Sequence, residues 1–254
     1  KVIALETAEG ERIKADSIIA SVTPSQLYGE LLHDTSHRED FDPSLFRHGR
    51  GNFQLHYALS GDPEWHAEGL EDVALIHLAD GIDSVSKSSN EAERGLLPEA
   101  PTICVGQPHK LDPSRCPPGK GILWVQVPDA PRVLKGDAAN EIDTKPDWDE
   151  FAREKFADRI EEILRSHIKN FDDIKLNRCA LSPLDLEKIN KNLVGGDPYG
   201  GSCSIDQFFV WRPFSSSKNN STGVKNLFHI GASTHPGPGL SGGSGYNLAK
   251  RLGA

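Results

Sequence analysis

The residues best placed to do chemistry in this 254-residue chain lie at its carboxy-terminal end, GASTHPGPGLSGGSGYNLAKRLGA over residues 231–254. Within them Gly237-Pro-Gly-Leu-Ser-Gly242 has the GxGxxG spacing of loops that cradle a dinucleotide phosphate. An apolar strand is expected before it, over residues 227–230, and a helix after it, over residues 244–252. Glycines let a ligand touch the backbone, and the unpaired N–H groups and positive dipole end of a helix favour negative charge there. As a primary phosphate loop the motif falls short. Only 12 residues follow Gly242, too few for the second strand of a βαβ unit, and no acid stands about 20 residues on to hold a ribose. The loop therefore either meets another part of a ligand or is a tight glycine turn with a terminal cap.

Other chemistries find less support. None of the 10 histidines stands in an HExxH pattern, and the four cysteines, Cys104, Cys116, Cys179 and Cys203, form no CxxC pair, so no metal site is expected. Asp185 and Glu187 do not make a paired acid/base site. A formal charge of −9 argues against nucleic acid as a partner, because phosphate neutralisation needs clustered Lys and Arg. No run of 18 apolar residues and no signal peptide is seen, so an intracellular protein, soluble or in peripheral contact with a membrane, is expected. The sequons in Asn219-Asn-Ser-Thr222 read as a polar loop. The chain opens at Lys1 inside an apolar alternating segment and has no Met, so a preceding segment is expected.

The elements that must position the glycine-rich end follow from periodicity. Residues 1–22 read as a hairpin turning at Ala8-Glu9-Gly10-Glu11 and a third strand, ended by Pro24. Residues 25–50 read as a short helix and a loop that includes a charged stretch from His37 to Asp42. Phe53, Leu55, Tyr57 and Leu59 alternate with polar neighbours as in a half-buried strand. Residues 73–78, 101–106 and 121–127 are further strands of an antiparallel sheet. A helix is expected from Asp147, with Glu150 completing a capping box, to about His167. Residues 182–214 read as a loop that bends closely around something.

Three segments carry a resemblance: SPLDLEKIN at 182–190, NLVGGDPYGGSCSIDQFFVWRP at 192–213 and GASTHPGPGLSGGSGYN at 231–247. In order and spacing they resemble the end of the phytoene desaturase and carotenoid ketolase group of flavoproteins, which share the wider amine oxidase fold. LDPSRCPPGKGILWVQVP at 111–128 and EGERIKADSIIASVTP at 9–24 are similar more weakly. The resemblance implies an α+β chain, part of an α/β flavoprotein. Its substrate domain, residues 25–213, would be built on an antiparallel sheet. Residues 1–24 and 214–254 would belong to an incomplete FAD domain lacking the amino-terminal βαβ unit. It implies an FAD-dependent oxidoreductase of the dehydrogenase or desaturase type, taking a hydride from a hydrophobic, isoprenoid- or carotenoid-like substrate. The pyrophosphate loop would come from a missing amino-terminal half or a partner chain. The alternative is a catalytically inactive fragment or interaction module that kept the fold without the cofactor.

By the same resemblance, Gly231, Ala232 and Ser233 end a strand beside the cofactor. Gly239, Leu240, Ser241, Gly242, Gly243 and Gly245 bring backbone N–H groups and the helix terminus toward the flavin pyrimidine edge. Asn247 adds an amide contact or is an ordinary polar position. His235 either touches cofactor or substrate or is structural. Arg212 resembles a position near the flavin, against the alternative of supporting the carboxylates of Asp197 or Asp206. Phe208, Phe209 and Trp211, with Phe214, line an apolar substrate channel or belong to a core. No catalytic side chain is assigned, because the flavin carries the redox chemistry.

Overall fold

The computed structural model describes residues 1–32, 42–216, 220–239 and 242–253. The strands, in chain order, are β1 (Ala4–Glu6), β2 (Arg12–Lys14), β3 (Ile18–Ala20), β4 (Gly51–Leu59), β5 (Leu75–Leu78), β6 (Leu96–Leu97), β7 (Ile103–Gly106), β8 (Gly121–Ala130), β9 (Gly136–Asp137), β10 (Lys175–Leu181) and β11 (Leu227–His229). The α-helices are α1 (Ile82–Glu93), α2 (Pro108–Leu111), α3 (Glu150–His167), α4 (Phe171–Ile174), α5 (Pro183–Ile189) and α6 (Gly243–Leu252). The chain packs as two compact units: unit 1 comprises Lys1–Gly49 with Lys191–Ala254, and unit 2 is Arg50–Asn190.

Unit 2 is organised by period-two alternation. Phe53, Leu55, Tyr57 and Leu59 of β4 and Leu123, Val125 and Val127 of β8 point into one core and are at most 1% exposed. The sheet order is β10-β4-β8-β7-β5, every neighbouring pair antiparallel. The four expected strands are present, and β10 is a fifth whose weak alternation had not marked it. Helix α3 lays Ala152, Phe156, Ile160 and Leu164 against the core, the i, i+4 spacing of one helical face. Phe53 joins it through an edge contact with Phe156 at 5.1 Å and a stack on Trp148 at 5.4 Å. The cap of α3 is not Asp147. The Asp149 side chain accepts from the Ala152 N–H at 2.9 Å, which starts the helix at Glu150. Residues 182–190, expected as loop, begin with α5, where Ser182 and Asp185 cap one another reciprocally.

Unit 1 has smaller pieces. β1 and β2 form the expected hairpin, with Leu5 opposite Ile13. The short helix expected after Pro24 is a π-type turn, Ser25–Leu31; of the charged stretch His37–Asp42, only Asp42 lies within the described residues. Strand β3 pairs in parallel with β11, Ile19 opposite Phe228, so the two ends of the chain meet in one sheet. Leu27, Tyr28, Phe46, Phe214, Val224 and Leu227 form its core.

Candidate functional site

The site is built where β11 leaves the parallel pair. The Ile230 N–H still bonds the Ala20 carbonyl at 2.9 Å, and Gly231 then turns the chain at φ 101°, a conformation open to glycine. Two tight turns follow, Thr234 N–H to Gly231 O at 3.1 Å and Gly237 N–H to Thr234 O at 2.8 Å. The Thr234 hydroxyl is within hydrogen-bond distance of Gly231 O and Ser244 Oγ, which ties the loop to the first turn of α6. That helix starts at Gly243 after Gly242 at φ 60°, and among the described residues no side chain caps it. Its first N–H groups and positive dipole end therefore remain available to a ligand. Of the expected loop residues, Gly239 is exposed, Gly245 is half-buried, and Leu240 and Ser241 lie outside the described residues.

Arg212 is 1% exposed and spends its guanidinium on backbone carbonyls: Nε donates to Ala232 O at 2.6 Å, Nη1 to Ser202 O and Gln207 O, and Nη2 to Tyr199 O and Gly201 O. The expectation that it supports Asp197 or Asp206 is corrected. Asp206 pairs with Arg47, and Asp197 accepts from the N–H groups of Gly49, Tyr199 and Gly201. The glycine-rich run curls its carbonyls inward, and a planar five-donor group fits such a ring better than one carboxylate does. Ser233 adds a hydroxyl bond to Gly200 O at 2.6 Å, so loops 199–202 and 231–234 are stitched together.

The aromatic candidates divide. Phe214 belongs to the core of unit 1. Phe208 is half-buried and close to the glycine loop, where a Cβ on Gly237 would stand 3.1 Å from its ring. Phe209, 55% exposed, meets His235 edge-on at 5.3 Å, and Trp211 is 46% exposed.

A cavity of about 590 Å³ opens beside the loop, lined among others by Arg212, Asn220, His229, Thr234, His235 and Asn247. His229 is 1% exposed; its Nε2–H donates to Val22 O at 2.6 Å, leaving Nδ1 a bare acceptor. Burial pushes its pKa down to about 4, so the ring is neutral at pH 7. His235 Nδ1 is also buried without a partner. The structure thus brings His235, Asn247 and Arg212 to one cavity, although Arg212 arrives with its donors engaged. His229, Asn220, Thr234 and Ser244 were missed. His229 could have been found, since Leu227 and His229 share the inward face of a strand. Asn220, read as part of a sequon, instead donates to His229 O and Ser244 Oγ; Asn219 lies outside the described residues.

Comparison with known proteins adds the family. The zeta-carotene-forming phytoene desaturase of Myxococcus xanthus is 33% identical over 233 residues, covering 91% of this chain and 40% of that protein. This chain is related to the phytoene desaturase-like oxidoreductases. The phytoene desaturase of Fusarium fujikuroi is 26% identical over 251 residues, covering 92% of this chain and 40% of that one. Pyridine nucleotide-disulfide oxidoreductase domain-containing protein 2 of Mus musculus is 29% identical over 204 residues, covering 78% of this chain and 32% of that one. The chain thus spans less than half the length of each of these relatives. A solved oxidoreductase from Methanosarcina mazei aligns with 98% of this chain and 47% of its own, at 12% identity and a TM-score of 0.47. No family model matches. Among the described residues no helix is long and apolar enough to cross a membrane.

Proposed function

We propose that this chain forms part of an FAD-dependent oxidoreductase acting on a hydrophobic, isoprenoid-like molecule. The observation that carries the reading is the strand, glycine loop and uncapped helix of unit 1, opening beside a cavity with two unpartnered imidazole nitrogens. These residues fit the ring end of a flavin. Backbone N–H groups of α6 would favour the negative charge that grows on reduction, worth about 0.3–1 kcal/mol at an exposed site, and Thr234, His235 and Asn247 would offer polar contacts. Bound FAD would supply hydride acceptance; this chain's residues would orient the ring and the substrate. Phe208, Phe209 and Trp211 would guide an apolar molecule toward His235, and the exposed Ile205 and Val210 beside them would suit a membrane surface as its source.

The described residues offer no βαβ loop for the pyrophosphate, and we assign that part to a further polypeptide, continuous or separate. A two-stranded parallel sheet is rarely stable alone, and the β3–β11 pair would gain from added strands. The experiment is to produce the chain together with such an amino-terminal unit and record mass and flavin absorbance under native conditions. Stoichiometric FAD is expected, and Gly242→Val with Gly243→Val should abolish its retention. A well-folded assembly without flavin would overturn the reading, and unchanged flavin in the double variant would overturn the site.

A further inference from the structure

The five-stranded sheet of unit 2 has two unlike faces. Residues alternate across a strand, so while Phe53, Leu55 and Tyr57 enter the core, Asn52, Gln54 and His56 lie on the other face. The register aligns this second face into rows across the three central strands. His56 stands opposite Trp124, which stands opposite Gly106; Gln54 stands opposite Gln126, which stands opposite Cys104. A Cβ on Gly106 would lie 3.0 Å from Trp124 Cε3, so the missing side chain leaves room for the indole. None of these six residues is a carboxylate, an ammonium or a guanidinium. Burial holds the pKa of His56 below its ordinary value, which keeps the imidazole neutral at pH 7.

Asn52 supplies the independent observation. It is 0% exposed, yet among the described residues neither its Nδ2 nor its Oδ1 has a hydrogen-bond partner. The bulge beside it lies on β8, where the steps from Val127 to Ala130 match the shorter span from Phe53 to Gly51, so the alternation of β4 runs on through Asn52. A desolvated carboxamide with both ends unpaired is unfavourable unless a ligand or water provides a donor and an acceptor.

Resting on the oxidoreductase reading, we propose that the substrate lies on this face, and that it is an uncharged molecule combining an apolar body with carbonyl or hydroxyl oxygen. The carboxamides of Asn52, Gln54 and Gln126 pair with that oxygen while Trp124 packs against the apolar body. A bare hydrocarbon would leave the carboxamides unpaired. A carboxylate or phosphate would find no cation in the rows, and Arg50, two residues before Asn52, is already engaged by Asp129 at 3.6 Å and by the Ser89 carbonyl.

The test is equilibrium binding, read by quenching of tryptophan fluorescence, with two matched pairs of probes: limonene and carvone, and phytane and phytol. The oxygenated member of each pair is expected to bind at least tenfold tighter, with the quenching lost in Trp124→Phe. Asn52→Leu should bring the ratio within each pair close to one without weakening the hydrocarbons. The double variant Gln54→Leu, Gln126→Leu tests the same point on half-buried positions, should Asn52→Leu fail to fold. Equal binding within both pairs, no binding by any probe, or quenching that survives Trp124→Phe would each overturn the proposal. Flavin absorbance in the same samples, each prepared together with the amino-terminal unit, separates the two readings. Discrimination without flavin overturns the oxidoreductase reading alone, and flavin without discrimination overturns this proposal alone.

Discussion

The two units are held together by different physics. Among the described residues, unit 2 has a core cluster of 25 buried apolar side chains, whereas that of unit 1 has six. Unit 1 makes up the difference with directional bonds: the carbonyl ring around Arg212, the Asp197 carboxylate gathering three N–H groups, and the hydroxyls of Ser233 and Thr234. Non-directional burial tolerates exchange of shape for shape, while a hydrogen-bonded loop is specific to each donor. The contrast teaches that the unit carrying the glycine loop is the one defined by geometry rather than by bulk.

The largest effect expected is in the core of unit 2. Phe156→Ala should cost about 3–5 kcal/mol, since a fully buried aromatic ring leaves both transfer energy and a cavity. Hydrogen-exchange protection over residues 50–190 would report it, and a loss below about 1 kcal/mol would break the contrast. Next is Arg212→Ala, expected to cost about 3 kcal/mol or more because several buried carbonyls lose a charged donor at once. Arg212→Lys, with three donors in place of a planar five, should recover less than half of the loss. Protection of amides 199–207 is the readout, and full rescue by lysine would show that charge, not fork geometry, organises the loop.

A third prediction concerns pH. The folded-state pKa of His229 lies below its unfolded value, near 4 against an ordinary 6.5. Between those values the unfolded chain binds more protons, so stability rises with pH. The contribution is complete above about pH 6.5 and is lost as pH falls toward 4, by roughly 3 kcal/mol at most. Thermal unfolding of unit 1 from pH 7 to 4.5 should show that slope, and His229→Gln should flatten it. An unchanged slope would remove His229 from the account. The smallest effect is Ser182→Ala at the cap of α5, about 1 kcal/mol by denaturant titration. A cost above about 3 kcal/mol would show that unit 2 also depends on single directional bonds.

The contrast also sets what could be read from the sequence. Strong periodicity made β4, β8 and α3 legible, because their spacing is the imprint of the burial that stabilises them. Residues with weak imprints, such as Lys175–Leu181, were not, and neither was the choice of Asp149 over Asp147 as a cap, since both are aspartates at the same approach to the helix. In unit 1 the strand, the glycine turn and the last helix were visible as motifs. The destination of the Arg212 side chain was not, because its partners are main-chain carbonyls, which every residue carries and no letter of the sequence marks. His229 faces inward by simple alternation, yet its unpaired nitrogen exists only once Val22 has taken the other.

The β3–β11 pair has a consequence for how the protein is made. Its strands enclose the whole of unit 2, and Leu181 of unit 2 pairs with Gln54 almost at the other end of that unit. When unit 2 folds first, this pairing shortens the free chain between Ala20 and Leu227 from about 200 to about 80 residues, easing loop closure by about 1 kcal/mol. Assembly therefore has a preferred order. The inserted unit acts as a clasp that brings the two halves of unit 1 within reach of one another, so lesions in the core of unit 2 would delay the maturation of the glycine loop.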